Sequence, residues 1–368
     1  MTARRETSDR KASSTHGRVG KDTAAASARA LQAAIGGPAS STPAEGNRVV
    51  KAAPIAFDPS VRADIAFQRI AWNCLAQLVA NYPLVIAEQD TEALHQSRVA
   101  LRRLRAAIAV HKTMLREDRR TARLNRALSA VAARLGKARD LDVLIARVRQ
   151  AVRKHQGYNG LLATVEQQRG QAYAAARDML EKRSFQQLLR RIADWVENGD
   201  WRRVRGIGAA ADGLPPKVPR VASDFLRKRR KQIGRAPGNV GDLSESERHQ
   251  LRIQTKKLRY ANEFFAALWL QPVRAARQKA LANALERLQD SLGELNDLAS
   301  CAGLAPTTGN GRNGALAQAP AAALEQIMQV SQKSEKTLLK AANKARADVL
   351  AVRRFWKKKA SLHAINKP

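Results

Sequence analysis

Aromatic residues are scarce. They make up 4% of the 368-residue sequence, too few for the stacking platforms on which single-stranded nucleic-acid binders rely. Cysteine is scarcer still. Cys74 and Cys301 stand far apart, neither near another Cys or a His. That excludes a structural zinc site of ordinary spacing and fits a reducing compartment. No run approaches the roughly 20 apolar residues of a membrane span. The first residues lack the apolar core of a signal peptide. Carboxylates are few: 32 Asp+Glu stand against 66 Lys+Arg.

What is present is alanine, leucine, arginine and lysine, a composition that favours helices over a β-sandwich or barrel. The net charge is +34. Such a surplus strains a compact fold by self-repulsion and points to an anionic partner: nucleic acid, an anionic membrane surface or a phosphate polymer. Residues 1–50 hold eight basic and four acidic residues, so +30 of the surplus belongs to the remainder. Residues 1–55 read as a disordered basic tail and residues 56–360 as the folded part.

The hydrophobic period is helical throughout, and no strand emerges. Asp58-Pro59 reads as a cap for a first helix, with Pro83 as a kink or stop. A second helix is expected over Thr91–Leu115 and a third over Arg119–Leu135, stopped by Gly136, with a fourth opening near Asp140. Further helices are expected up to Lys182 and over Ser184–Glu197. A Gly/Pro-rich linker follows at about 206–217. Ser244 and Glu247 form a capping-box pattern opening a helix that runs to about Leu270. Pro272 starts another, ending at Gly293. A loop fills about 305–314, and a last helix spans about Ala321–Lys357.

Two segments repeat. Leu94–Arg105 and His249–Arg259 both read His-x-x-Arg-x-x-x-basic-basic-Leu-Arg, 154 residues apart. Leu135-Gly136-Lys137-Ala138-Arg139-Asp140-Leu141 matches Leu292-Gly293-Glu294-Leu295-Asn296-Asp297-Leu298 at an offset of 157. Two ordered matches at nearly one offset imply an internal duplication, with halves of about 56–205 and 218–360. On a helix, His95, Arg98, Arg102 and Arg105 share an arc of about 80°, bordering the apolar stripe of Leu94, Leu101, Leu104 and Ile108. His249, Arg252, Lys256 and Arg259 share the same arc beside Leu251 and Leu258. Tyr260 lies next to this basic face, and Arg103 and Lys257 lie on its flank. Between Leu94 and Leu115 there is no carboxylate, and after Arg259 the second helix has only Glu263. Like charges stacked in this way repel one another and call for an anion.

These motifs resemble the CHAD domain, the conserved-histidine α-helical domain, over about residues 56–360. The Phe185…Trp195 segment and Arg353-Arg354-Phe355-Trp356 are similar to it as well. The resemblance implies an all-α fold of two pseudo-symmetric helical bundles with a strongly basic surface or channel. It also implies binding of inorganic polyphosphate and, in bacteria, association with cytoplasmic polyphosphate granules. The binding residues it implies are His95, Arg98, Arg102, Arg103 and Arg105, with His249, Arg252, Lys256, Lys257, Arg259 and Tyr260 from the second copy. Some members carry a triphosphate-tunnel module with a Glu-x-Glu-x-Lys motif, which this sequence lacks. Asn296 stands where the first copy has Arg139.

Other signals are weaker. Gly309-Asn310-Gly311-Arg312-Asn313-Gly314 matches G-x-G-x-x-G, but no strand precedes it. Asp140, Asp142 and Asp297 read as helix N-caps after a glycine stop rather than magnesium ligands. No paired carboxylates, metal-spaced cluster or nucleophile–base arrangement emerges. The expectation is a binding protein with no catalysis, metal or cofactor. The alternatives are a sequence-independent nucleic-acid binder, and a granule-coat protein using Leu338, Leu339, Val349 and Leu350 of the last helix.

Overall fold

The computed structural model describes residues 48–152, 159–202, 215–302 and 321–356. Among these residues the structure is helical, apart from one isolated bridge between Arg62 and Lys217. The helices are α1 (Ala63–Glu88), α2 (Thr91–Val110), α3 (Lys112–Leu115), α4 (Arg119–Val152), α5 (Asn159–Glu181), α6 (Arg183–Asn198), α7 (Val218–Gly234), α8 (Glu245–Phe264), α9 (Pro272–Ala302) and α10 (Ala321–Ala351). The expected loop at 305–314, with its glycine motif, and residues 206–214 of the expected linker lie outside the described residues. So does most of the expected tail.

Local chemistry accounts for several boundaries. Asp90 caps α2 by accepting from the N–H groups of Glu92 and Ala93. Ser244 and Glu247 form both bonds of a capping box at the start of α8. Other boundaries depart from local expectation. Asp58 closes a turn onto the Ser60 N–H at 2.7 Å, and α1 starts only at Ala63. There the helix entry pairs with the entry of α7: Ala63 N–H donates to Pro216 and Val218 N–H to Val61. Pro83 neither stops α1 nor ends it. The second helix divides at His111, whose ring packs 5.3 Å from Phe67 while its Nδ1 meets the Ala107 carbonyl at 2.9 Å. Residues 48–55, expected in the tail, run along α1, where the Asn81 side chain bonds both the N–H and the C=O of Val50.

The helices pack in two runs. α1 lies on α2, α2 on α4 and α4 on α5; α7 lies on α8, α8 on α9 and α9 on α10. The runs meet where α2 crosses α8 and where α1 and α2 touch α7. One core, from Phe57 to Trp356, joins everything. The few aromatics are spent there. Phe67 meets Trp195 and Trp201 edge-on at 5.4 and 5.1 Å, and Trp269, Phe355 and Trp356 form a second group. Among the described residues no aromatic side chain is exposed. Helix α1 does reach the length and mean hydropathy, 1.3, of a membrane span, against the sequence expectation; 56% of that stretch is buried beneath its neighbours.

Candidate anion-binding face

Helix α2 buries Leu94, Leu101, Leu104 and Ile108, which sets His95, Arg98, Arg102 and Arg105 half-buried along the edge of its buried face. Helix α8 buries Leu251 and Leu258 and sets Arg252, Lys256 and Arg259 in the same way. Because α2 packs on α8, the two stripes converge. Burial, and then Arg252, Arg102, Arg98 and Arg259, hold the Lys256 ammonium down to a pKa of about 7. Burial likewise lowers Arg98; Asp140 opposes this, and Arg102, Arg139 and Arg252 add to it. Burial and Arg139 lower His95, with Arg102 and Arg98 adding to them. An open hollow of about 250 Å³ lies between Arg102, Arg252 and Lys256 on one side and Gln289, Asp290, Gly293 and Glu294 of α9 on the other.

The arginines of this seam are under-bonded. The Nε atoms of Arg102, Arg105, Arg252 and Arg259 are buried and have no hydrogen-bond partner among the described residues. A buried donor left without an acceptor destabilises the fold by about 1–3 kcal/mol. An anion in the hollow would meet the outer parts of Arg102, Arg252 and Lys256, which line it.

Not every residue expected here lies on the open seam. Arg103 is 2% exposed. Its Nε donates to Glu263 at 3.0 Å, and its Nη1 to Asn73 and Gln77 at 2.8 and 3.2 Å. Its guanidinium also lies 5.5 Å from the Phe264 ring. It ties α1, α2 and α8 together from inside, where a polymer does not reach. Tyr260 is buried against Phe264, and the Arg259 guanidinium rests 5.4 Å from its ring. Its place is beneath the basic face. His249 stands exposed in the first turns of α8, unlike half-buried His95. Lys257 joins a second group: burial, then Arg229, Arg105 and Lys112, lower its pKa. Sequence reasoning missed Arg229, which sits over the Phe225 ring at 4.7 Å and donates to Gln232 and Gln254. In the run Arg227–Lys231 only packing distinguishes it from its neighbours.

The glycine turns are not turns. α4 runs unbroken through Gly136, and α9 through Gly293. A Cβ at Gly136 would lie 2.7 Å from Nη1 of Arg98. The missing side chain lets that guanidinium lie against the helix, its Nη1 3.4 Å from the Ala132 carbonyl. Gly293 lines the hollow, with nothing within 4 Å of its would-be Cβ. Asp140 and Asp142 are therefore mid-helix residues and not caps. Asp140 is exposed, 3.7 Å from Arg98; Asp142 accepts from Arg169 at 2.7 Å and from the Tyr173 hydroxyl at 2.9 Å. The side chain of Asp297 lies outside the described residues. Among them, no group of His, Cys, Asp or Glu could hold a metal ion. Among the described side chains of α10, Val349 is buried, Leu338 and Leu339 pack against the core, and Leu350 is exposed.

Fold and face together define an all-helical domain with a cation-lined seam between two packed helices. The CHAD domain model matches residues 69–305, and the chain belongs to the CHAD-domain family. It is similar to the crystal structure of the CHAD domain from the plant Ricinus communis, with a TM-score of 0.62 and 26% identity, over 84% of this chain and 98% of that one. PptA from Streptomyces chartreusis shares the fold at a TM-score of 0.52 and 14% identity, over 77% of this chain and 99% of that one. No curated protein matches the chain.

Proposed function

We propose that the chain binds inorganic polyphosphate along the α2–α8 seam and attaches through it to polyphosphate granules in the cytoplasm. The observation that carries this reading is the convergence of cations from two facing helices: Arg102, Arg252 and Lys256 line one hollow, with Arg98 and Arg259 near enough to help hold the Lys256 ammonium down. Phosphate oxygens suit them, since arginine can hold them in pairs. The polymer has no bases to stack. A site without exposed aromatics among the described residues suits it better than single-stranded nucleic acid. The binding set is His95, Arg98, Arg102, Arg105, Arg252, Lys256 and Arg259, with Lys257 and Arg229 forming an adjoining group beside Arg105. The reading includes no catalytic step. It treats the chain as a duplicated unit, α1–α6 and α7–α10, each half lending one basic helix to the seam. The matched order of helix contacts in the two runs supports this.

The test is competition on the full chain. Labelled long-chain polyphosphate is displaced by duplex DNA or single-stranded RNA matched in phosphate, at near-physiological salt. Polyphosphate is expected to win by about tenfold or more, a difference of about 1.4 kcal/mol. If DNA or RNA wins, the seam serves nucleic acid. The double variant Arg98→Glu, Arg252→Glu is expected to abolish binding and keep its helical circular dichroism. Retained affinity in that folded variant would sink the seam as the site.

A further inference from the structure

A second basic surface lies on the other side of α4. Arg119, Arg123, Arg126, Arg134 and Lys137 are all exposed. They fall within an arc of about 80° on the helix and span about 27 Å along its axis. From Arg119 to Arg139 the sequence has no Asp or Glu. Among the described residues none of the five side chains makes a hydrogen bond or ion pair. The nearby carboxylates Asp118 and Asp194 are engaged by Arg120, at 3.8 and 2.9 Å. Buried Leu124, Leu128, Val131 and Leu135 hold the opposite face of α4 in the core. Of the α4 positions that meet Arg98, Ala132 and Gly136 are turned about 120–160° from the middle of the stripe, and Asp140 about 80°. Seam and stripe therefore face different directions. The exposed basic face of α7 differs, because Asp224 interrupts it and pairs with Arg227 at 2.9 Å.

Neighbouring cations such as Arg119 and Arg123, or Arg134 and Lys137, repel each other across one helical turn. A line of cations without carboxylates or exposed aromatics complements a flexible chain of phosphates. We propose that this stripe is a second polyphosphate track, which makes the protein bivalent and able to bridge separate polymer segments. The inference rests on the seam being the first track. Bridging would gather polymer into a network, because a second contact on an already held chain gains from its high local concentration.

The experiment uses the full chain in three forms: wild type, the seam variant Arg98→Glu, Arg252→Glu, and a stripe variant with Arg119, Arg123, Arg126, Arg134 and Lys137 all changed to Gln. Glutamine keeps helix propensity. Short-chain polyphosphate at low concentration reads the seam, whose converging half-buried cations hold it more tightly than the exposed stripe does; light scattering with long-chain polyphosphate reads bridging. The stripe variant is expected to bind short chains as wild type does, but to need roughly tenfold or more polymer before it scatters. Scattering equal to wild type overturns the second track. Loss of short-chain affinity in the stripe variant also overturns it, since the stripe would then not be separate. A seam variant with intact short-chain binding overturns the first reading instead. If wild type scatters with duplex DNA at lower phosphate than with polyphosphate, the occupant is nucleic acid and the proposal fails.

Discussion

Arg102 and Arg103 are neighbours with opposite duties. Arg102 edges the hollow with its Nε unpaired, whereas Arg103 is sealed in with Glu263, Asn73 and Gln77. Arg103→Met is therefore expected to lower stability by about 1–3 kcal/mol, since it leaves the buried Gln77 amide oxygen without this donor, while the exposed Glu263 carboxylate is taken up by water. The folded fraction should bind polyphosphate as wild type does. Chemical denaturation and binding on the same sample separate the two effects; a stable variant with lost affinity would return Arg103 to the site. Lys256 is the member of the seam that can shed its proton near neutrality. Its free-site pKa of about 7 leaves the amine increasingly neutral above that pH. A bound phosphate chain favours the ammonium and raises that pKa, so binding takes up a proton. The contribution of Lys256 is full below about pH 7 and fades as pH rises through the free-site value toward the bound one. Lys256→Arg keeps the charge at every pH. Calorimetry should find a flatter pH profile and tighter binding than wild type on the alkaline side; an unaltered profile would rule out this role.

At the scale of the helix, two glycines carry the lesson. Read locally, Gly136 and Gly293 look like helix stops; in the structure both lie inside unbroken helices. Alanine at either position should raise intrinsic helix stability by up to about 1 kcal/mol. Their functional effects should differ. At Gly136 the new methyl meets the mobile end of Arg98. The fold can yield there, but the guanidinium must leave its position. Affinity is expected to fall by about tenfold or more, since one charge-assisted hydrogen bond contributes about 1.5–3 kcal/mol, with the melting temperature unchanged or higher. At Gly293 there is room, so Gly293→Ala should stabilise and only narrow the hollow. Thermal melts with binding titrations check both; a lower melting temperature in Gly136→Ala would mean that the backbone and not Arg98 had moved. Boundaries set by a side chain bonding its own backbone, at Asp90 and Ser244, were legible in advance. Those set by distant chain were not, such as the start of α1 against Pro216.

For the molecule as a whole, the sequence by itself determined that the chain is helical, strongly basic and poor in aromatics, and that two helices carry matching cation stripes beside their apolar faces. Those properties follow from composition and from the 3.6-residue period, which depend only on order along the chain. Tertiary structure alone decided that the stripes face one another across α2 and α8, that Arg103 and Tyr260 are interior, that Arg229 comes alongside Lys257, and that the arginines of α4 look outward. Periodicity fixes the angle of a side chain about its own helix axis. Which neighbour lies at that angle depends on helices distant in sequence, and that neighbour determines whether a cation is paired, buried or left open to an anion.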